Sequence, residues 1–223
     1  MRRVGSDRSG SERSGSERSG LGRSGSDRIG LARIGLSRLG WVGALGLALL
    51  GTGHAVAAVK DAAPNGFTIE NEQVVPVDQA TAWKALVEDV DRWWPKDHTW
   101  WGAESTLSID ARAGGCFCEI GRNGQQQAQH MTVSFVDPGK TLRLLGGLGP
   151  LQGMGLGGAM EFRLSPVNDG GTRIALHYRA GGYTPDDLSK FAALVDKVQG
   201  LQLGGLADYL RRARDPAKAG SGK

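Results

Sequence analysis

Cysteine is scarce in this chain. Cys116 and Cys118 are the only two in 223 residues, too few for a disulfide framework to replace a packed core. No cysteine stands directly after the N-terminal apolar run, which argues against the lipid-anchored form of an exported bacterial protein. The apolar run from Trp41 to Leu50 is too short and Gly-rich for a comfortable membrane span, which needs about 20 residues. Lysine is missing from the first 57 residues, where nine Arg against four acids give a net charge of +5. Of the chain's 27 basic and 23 acidic residues, that leaves 18 and 19 for the remaining 166. The high isoelectric point therefore belongs to the N-terminal stretch. A near-neutral remainder lacks the clustered cations that displace counterions from nucleic acid, so no nucleic-acid partner is expected. The Gly-rich stretch from Gly146 to Gly158 lacks a Gly-Lys-Ser/Thr ending and sits between two expected strands, which excludes a phosphate-binding loop. It reads as a flexible apolar loop lying over a pocket.

What is present begins with a five-residue repeat over residues 1–40. Gly recurs at every fifth position from Gly5 to Gly40 and Arg from Arg8 to Arg38. That period matches neither helix nor strand, and so much glycine disfavours helix, so the tract is expected to be disordered. Residues 41–58 then read as the apolar region and cleavage site of a signal peptide. Trp41 to Leu50 is uncharged and follows Arg33 and Arg38, and Ala55-Val56-Ala57 supplies the small-residue motif, with cleavage expected near Ala57. The expected location is periplasmic or secreted, with no stable membrane span once the signal is removed.

Residues 66–213 carry the pattern of one α+β domain, followed by a flexible tail over 214–223. A strand is predicted from Phe67 to Val77. Asp78 is placed to cap a helix running to Glu88 that buries Ala82, Trp83, Leu86 and Val87. After the aromatic segment from Trp93 to Trp101, alternating runs predict strands around Leu107–Ile109, Cys116–Ile120, His130–Val136, Thr141–Leu145, Met160–Leu164 and Thr172–Tyr178. Asn123-Gly124 is a strong hairpin signal. Thr184-Pro185-Asp186-Asp187 predicts the start of a long closing helix, with Leu188, Phe191, Val195, Val198, Gln202, Leu206 and Tyr209 on one face. Gly200, Gly204 and Gly205 mark where that helix bends or packs closely. A curved antiparallel meander needs a cover, and only this helix is long enough to provide it.

This element order resembles the SRPBCC superfamily, also called START-like or Bet v 1-like. The resemblance covers about Gly66 to Arg211 and is strongest in four stretches: Ala82 to Val87, Trp93-Trp94-Pro95, Ala113 to Glu119, and Val136 to Lys140. It is most similar to polyketide-cyclase-like and heat-shock-chaperone ATPase activator-like domains. The resemblance implies a helix-grip fold, a curved antiparallel sheet wrapped around a long C-terminal helix with a cavity between them. It does not imply one activity, since such domains carry lipids, cyclise substrates or bind chaperones. ATPase activators work beside a cytosolic chaperone, whereas this chain has the look of an exported one.

Strand alternation assigns the inward side chains. The apolar parity places Leu107, Ile109, Cys116, Cys118, Met131, Val133, Phe135, Leu142, Leu144, Met160, Phe162, Ile174, Leu176 and Tyr178 inside. It places Glu119 and His130 outside, as a solvated pair. Such a lining suits an apolar or aromatic small molecule bound without a cofactor, and the expected ligand contacts are Trp94, His98, Trp100, Cys116, Cys118, Met131, Phe135, Phe162 and Tyr178. The two thiols have three readings: buried free thiols packed as small hydrophobes, reactive or ligand-contacting groups, or two ligands of a soft metal with His130 as a third. A disulfide between residues two apart in a strand looks geometrically poor. Trp93, Trp94, Trp100 and Trp101 either plug one end of the barrel or gate its mouth. No catalytic residue is assigned. The alternatives to a binding protein are a cyclase or lyase using Tyr178 or His98 as acid/base, and a protein-interaction module.

Overall fold

The computed structural model describes residues 58–214. The pentapeptide repeat, the apolar run with its cleavage motif, and the tail from Asp215 onward lie outside the described residues. Eight strands form one antiparallel sheet: β1 Ala58–Ala63, β2 Gly66–Val75, β3 Thr106–Ile109, β4 Cys116–Ile120, β5 Gln127–Asp137, β6 Thr141–Leu145, β7 Gly157–Pro166 and β8 Thr172–Gly181. Their order across the sheet is β1-β2-β8-β7-β6-β5-β4-β3, so β8 returns to pair with β2 while the rest follow as a meander. Among the described residues, four α-helices accompany them: α1 Gln79–Glu88, α2 Val90–Trp93, α3 Pro150–Gly153 and α4 Ala192–Arg214. This curved sheet with a long terminal helix is the helix-grip architecture, α+β in class.

The local chemistry explains the joints. Asp78 caps α1 through its carboxylate, which accepts from the Thr81 N–H at 2.9 Å. Between β5 and β6, Pro138 presets the turn and Gly139 takes φ +82°, the arrangement of a type II turn. The closing helix begins later than its sequence predicts. Asp187, not Thr184, caps a short 3₁₀ turn over Leu188–Lys190, and α4 starts at Ala192. The buried face of α4 holds Ala192, Gln199, Gln202, Leu203, Leu206, Ala207 and Leu210. At Gly205 the helix backbone lies so near the Trp93 carbonyl that a Cβ would meet its oxygen at 2.4 Å. Asn71 of β2 ties the other end of α4 down, donating to Asp196 Oδ1 at 3.1 Å.

Three sequence expectations need correction. β1 precedes the expected domain start, because residues 58–63 turn back at Pro64-Asn65 and pair with β2. The Gly-rich stretch is not all loop, since Pro150 opens the one-turn helix α3 inside it. The third concerns the faces of β4 and β5. The register from the Asn123-Gly124 turn holds as far as Cys118 opposite Gln129, then slips by one so that Phe117 faces Met131. His130 is the extra residue of this β-bulge, and it stays buried alongside Met131. On β4, Phe117 and Glu119 are buried, and Cys116 and Cys118 point to the outer face. The apolar parity misled there because two small thiols outvoted one phenylalanine. A second bulge at Ser134 turns Phe135 outward, 43% exposed, with Arg143 over its ring.

Candidate functional site

A cavity of about 410 Å³ lies between the first half of α4 and the sheet. Phe191, Leu194, Val195, Val198, Gln199 and Gln202 of the closing helix and the turn before it form one wall. Leu148, Leu151 and Met154 come from the Gly-rich segment around α3. Trp94 and residues 97–100 form the third side, and His130 of β5 with Tyr178 of β8 form the floor. The Gly-rich segment can fold back over the sheet because Gly147 and Gly158 each approach a backbone carbonyl, where a Cβ would lie 2.4 Å from oxygen.

The aromatic segment is built as a stack. Trp93 and Trp94 are both buried, with the Trp93 indole donating to the Ala85 carbonyl at 3.0 Å and that of Trp94 to His98 at 3.2 Å. The Trp94 ring meets Phe117 edge-on at 5.1 Å, and Phe117 in turn lies 5.0 Å from the His130 ring. Trp100 stands at the edge of the cavity, 48% exposed.

Polar atoms in this setting are few and unusually placed. Glu119 is fully buried. Its Oε1 accepts from the Trp100 N–H at 2.8 Å, the Trp101 N–H at 3.3 Å and the Ser105 hydroxyl at 2.5 Å. Its Oε2 pairs with His130 Nε2 at 2.8 Å. The same carboxylate thus pins the aromatic loop and orients the histidine. His130 Nδ1 is buried without a partner, as are both amide atoms of Gln199 and Oε1 of Gln202. Buried polar atoms are rarely left unpaired, and all three of these side chains line the cavity. Tyr178 accepts from the Leu148 N–H at 3.4 Å. Burial pushes its phenol up from the usual value, against the smaller opposing effect of that hydrogen bond, so it stays protonated with its own proton to give.

Of the residues singled out in the sequence, Trp94, His98, Trp100 and Tyr178 line this space. Met131 and Phe162 point inward but belong to the packed core and are not among the lining residues. Cys116, Cys118 and Phe135 are not at the cavity either. The two cysteines are joined to each other by a disulfide on the outer face of β4, which rules out free thiols and a metal site shared with His130. Strand twist and the neighbouring bulge bring their Cα atoms to 5.5 Å, inside bridging range. Sequence reasoning missed His130 and Gln199 as lining residues. Gln202 left a trace, a lone amide in an otherwise apolar helical stripe.

No protein-family model matches this chain, and no curated protein does. Solved structures resemble it in outline. CalU16 from Micromonospora echinospora is 16% identical, covers 70% of this chain and 84% of its own, and superposes with a TM-score of 0.48. Ara h 8.0201 is 18% identical, with 65% and 97% covered and a TM-score of 0.47. SA2116 from Staphylococcus aureus, a protein of unknown function, is 13% identical, with 69% and 96% covered and a TM-score of 0.48. At such values they say nothing about what this chain binds.

Among the described residues, no helix is long and apolar enough to cross a membrane. Among the same residues, no cluster of three or more His, Cys, Asp or Glu side chains is placed to hold a metal ion.

Proposed function

We propose that this protein is exported and binds a small molecule with an apolar, aromatic body in the cavity beneath α4, without a cofactor. The observation that carries this reading is the combination, around one space of about 410 Å³, of carbon walls with lining side chains whose amide and imidazole atoms are left unpaired. Small-molecule pockets commonly span about 300–1,000 Å³ and pair apolar linings with a few orienting polar groups. Burying unpaired polar atoms is costly, and a ligand that pairs them recovers that cost. Trp94 and Trp100 would close over the ligand's ring face. Export draws support from the apolar run Trp41 to Leu50, preceded by Arg33 and Arg38, and from the small-residue motif Ala55-Val56-Ala57 after it.

The test is native mass spectrometry of the full chain expressed in a bacterium, with tryptophan fluorescence read during titration with naphthalene derivatives. A bound small molecule, or saturable quenching, is the expected result. An empty protein that leaves fluorescence unchanged at saturating probe overturns the binding reading. N-terminal sequencing of the periplasmic fraction should start near Ala58; an uncleaved cytoplasmic chain overturns export.

The enzyme reading has one observation in its favour. A histidine oriented by a buried carboxylate is the arrangement a general base requires. His130 fills that part better than Tyr178, whose phenol is held protonated, or His98, which has no carboxylate partner among the described residues.

A further inference from the structure

We infer that this cavity selects ligands carrying a hydrogen-bond donor, a ring hydroxyl or N–H, because Glu119 fixes the tautomer of His130. The inference rests on the binding reading above and adds to it the chemistry of the ligand's polar end.

The Oε1 atom of Glu119 already accepts from two backbone N–H groups and the Ser105 hydroxyl, none of which needs a proton from the carboxyl. A carboxylate so surrounded is an acceptor at both oxygens. With Glu119 as that acceptor, its Oε2 contact at 2.8 Å assigns the hydrogen to Nε2 of His130. A neutral imidazole has one N–H, so Nδ1 is left as a bare acceptor. That atom is buried and unpartnered in a side chain that is only 6% exposed and lines the cavity. The Gln199 amide does not discriminate in this way, because turning it over exchanges donor and acceptor. His130 cannot make that exchange while Glu119 holds Nε2. The selecting group is thus the one whose polarity is locked from behind.

The packing around His130 points to a planar ligand. Phe117 stacks near one side of the ring and Trp94 lies beyond it, so the hydroxyl approaching Nδ1 comes from a body lying along the aromatic loop. The class implied is a hydroxylated fused-ring aromatic or its N–H equivalent.

The experiment compares two probes of nearly equal shape, 2-naphthol and 2-methoxynaphthalene, by calorimetric titration of the full chain at pH 8. The first donates a hydrogen bond and the second only accepts. The affinity ratio of naphthol to methoxynaphthalene is expected to be about tenfold higher in the wild type than in His130→Phe, which keeps an aromatic wall but has no acceptor. In Glu119→Gln, the amide oxygen keeps the loop contacts while its N–H₂ donates to Nε2. The imidazole hydrogen then moves to Nδ1, and the ratio is expected to fall to or below that of His130→Phe. A ratio that is the same in wild type and His130→Phe overturns the inference while leaving the binding reading in place. Failure of both probes to bind any of the proteins overturns both.

Discussion

Two glutamates are buried in this sheet, on opposite faces, and they are satisfied in opposite ways. Glu119 faces inward from β4 and is held by backbone N–H groups, a hydroxyl and one imidazole, with no Lys or Arg in contact among the described residues. Glu161 faces outward from β7 and is clamped between Arg143 and Arg163. The arginines are themselves half-exposed, so their charges keep most of their hydration and the pair completes itself at the surface. Nothing in the outer cluster is left over. The inner cluster ends in an unpaired, buried Nδ1 on a side chain that lines the cavity. A buried carboxylate backed by arginines is a surface fitting, whereas one backed by amides and a histidine holds a polar group ready for something else.

This contrast is open to direct attack, and the largest effect is expected inside. Glu119→Ala strips partners from the Trp100 and Trp101 N–H groups, Ser105 and His130 at once, and should cost about 3–5 kcal/mol of unfolding free energy. Glu161→Ala should cost about 1 kcal/mol, because Arg143 and Arg163 can turn back to water. Urea denaturation of both variants measures the difference. Equal losses would mean that the outer cluster is as dry as the inner one.

A smaller effect separates the two by pH. Burial pushes the Glu161 carboxyl up, but the hydrogen bonds and charges of Arg143 and Arg163 together outweigh it and hold the group below its ordinary value. A carboxyl depressed in the folded state adds stability that is complete above the unfolded value of about 4.3 and is lost as pH falls through the folded value. Glu161→Gln should therefore flatten the stability profile below about pH 4.3 while leaving the profile near neutrality parallel to that of the wild type. Thermal melts between pH 3 and 7 check this. An unchanged acid limb in the variant would show that the clamp does not hold the group's proton equilibrium.

The sheet, its order of elements and the gripping helix were legible because they follow from periodicity. Cys116–Ile120 and Thr141–Leu145 coincide with their predicted strands, and the cap at Asp78 is where a carboxylate before an apolar stripe should be. The site was legible mainly where large aromatics announced it: Trp94 and Trp100 line the cavity with His98 between them, as does Tyr178 at the end of its alternating strand. What was hidden is the polar part. Glu119 reads as outward because a glutamate in an alternating strand normally meets water. It is inside because a loop some 20 residues earlier delivers two N–H groups to it, a match of tertiary distances that no local pattern encodes. The bulge at His130 is equally silent, since one extra residue leaves no mark on composition. β1 was missed for a different reason. Its six residues, Ala-Val-Lys-Asp-Ala-Ala, alternate weakly and follow directly on the cleavage motif.

The smallest expected effect tests the division of faces within a single strand. Phe117 and Glu119 look toward the cavity side of β4, and Cys116 and Cys118 lie behind them, bonded to each other. If the faces are as independent as the two glutamates indicate, the double variant Cys116→Ala/Cys118→Ala should change naphthol affinity by less than about twofold, since sites without shared partners act nearly additively. The disulfide spans only one intervening residue, so opening it frees little chain and leaves the β4–β5 ladder to hold Glu119 in register. Calorimetric titration of the variant, and of the wild type with and without a thiol reductant, reads this directly. A large loss of affinity on reduction would show that the bridge sets the position of Glu119 through the backbone. The outer face would then be a control on the inner one rather than its contrast.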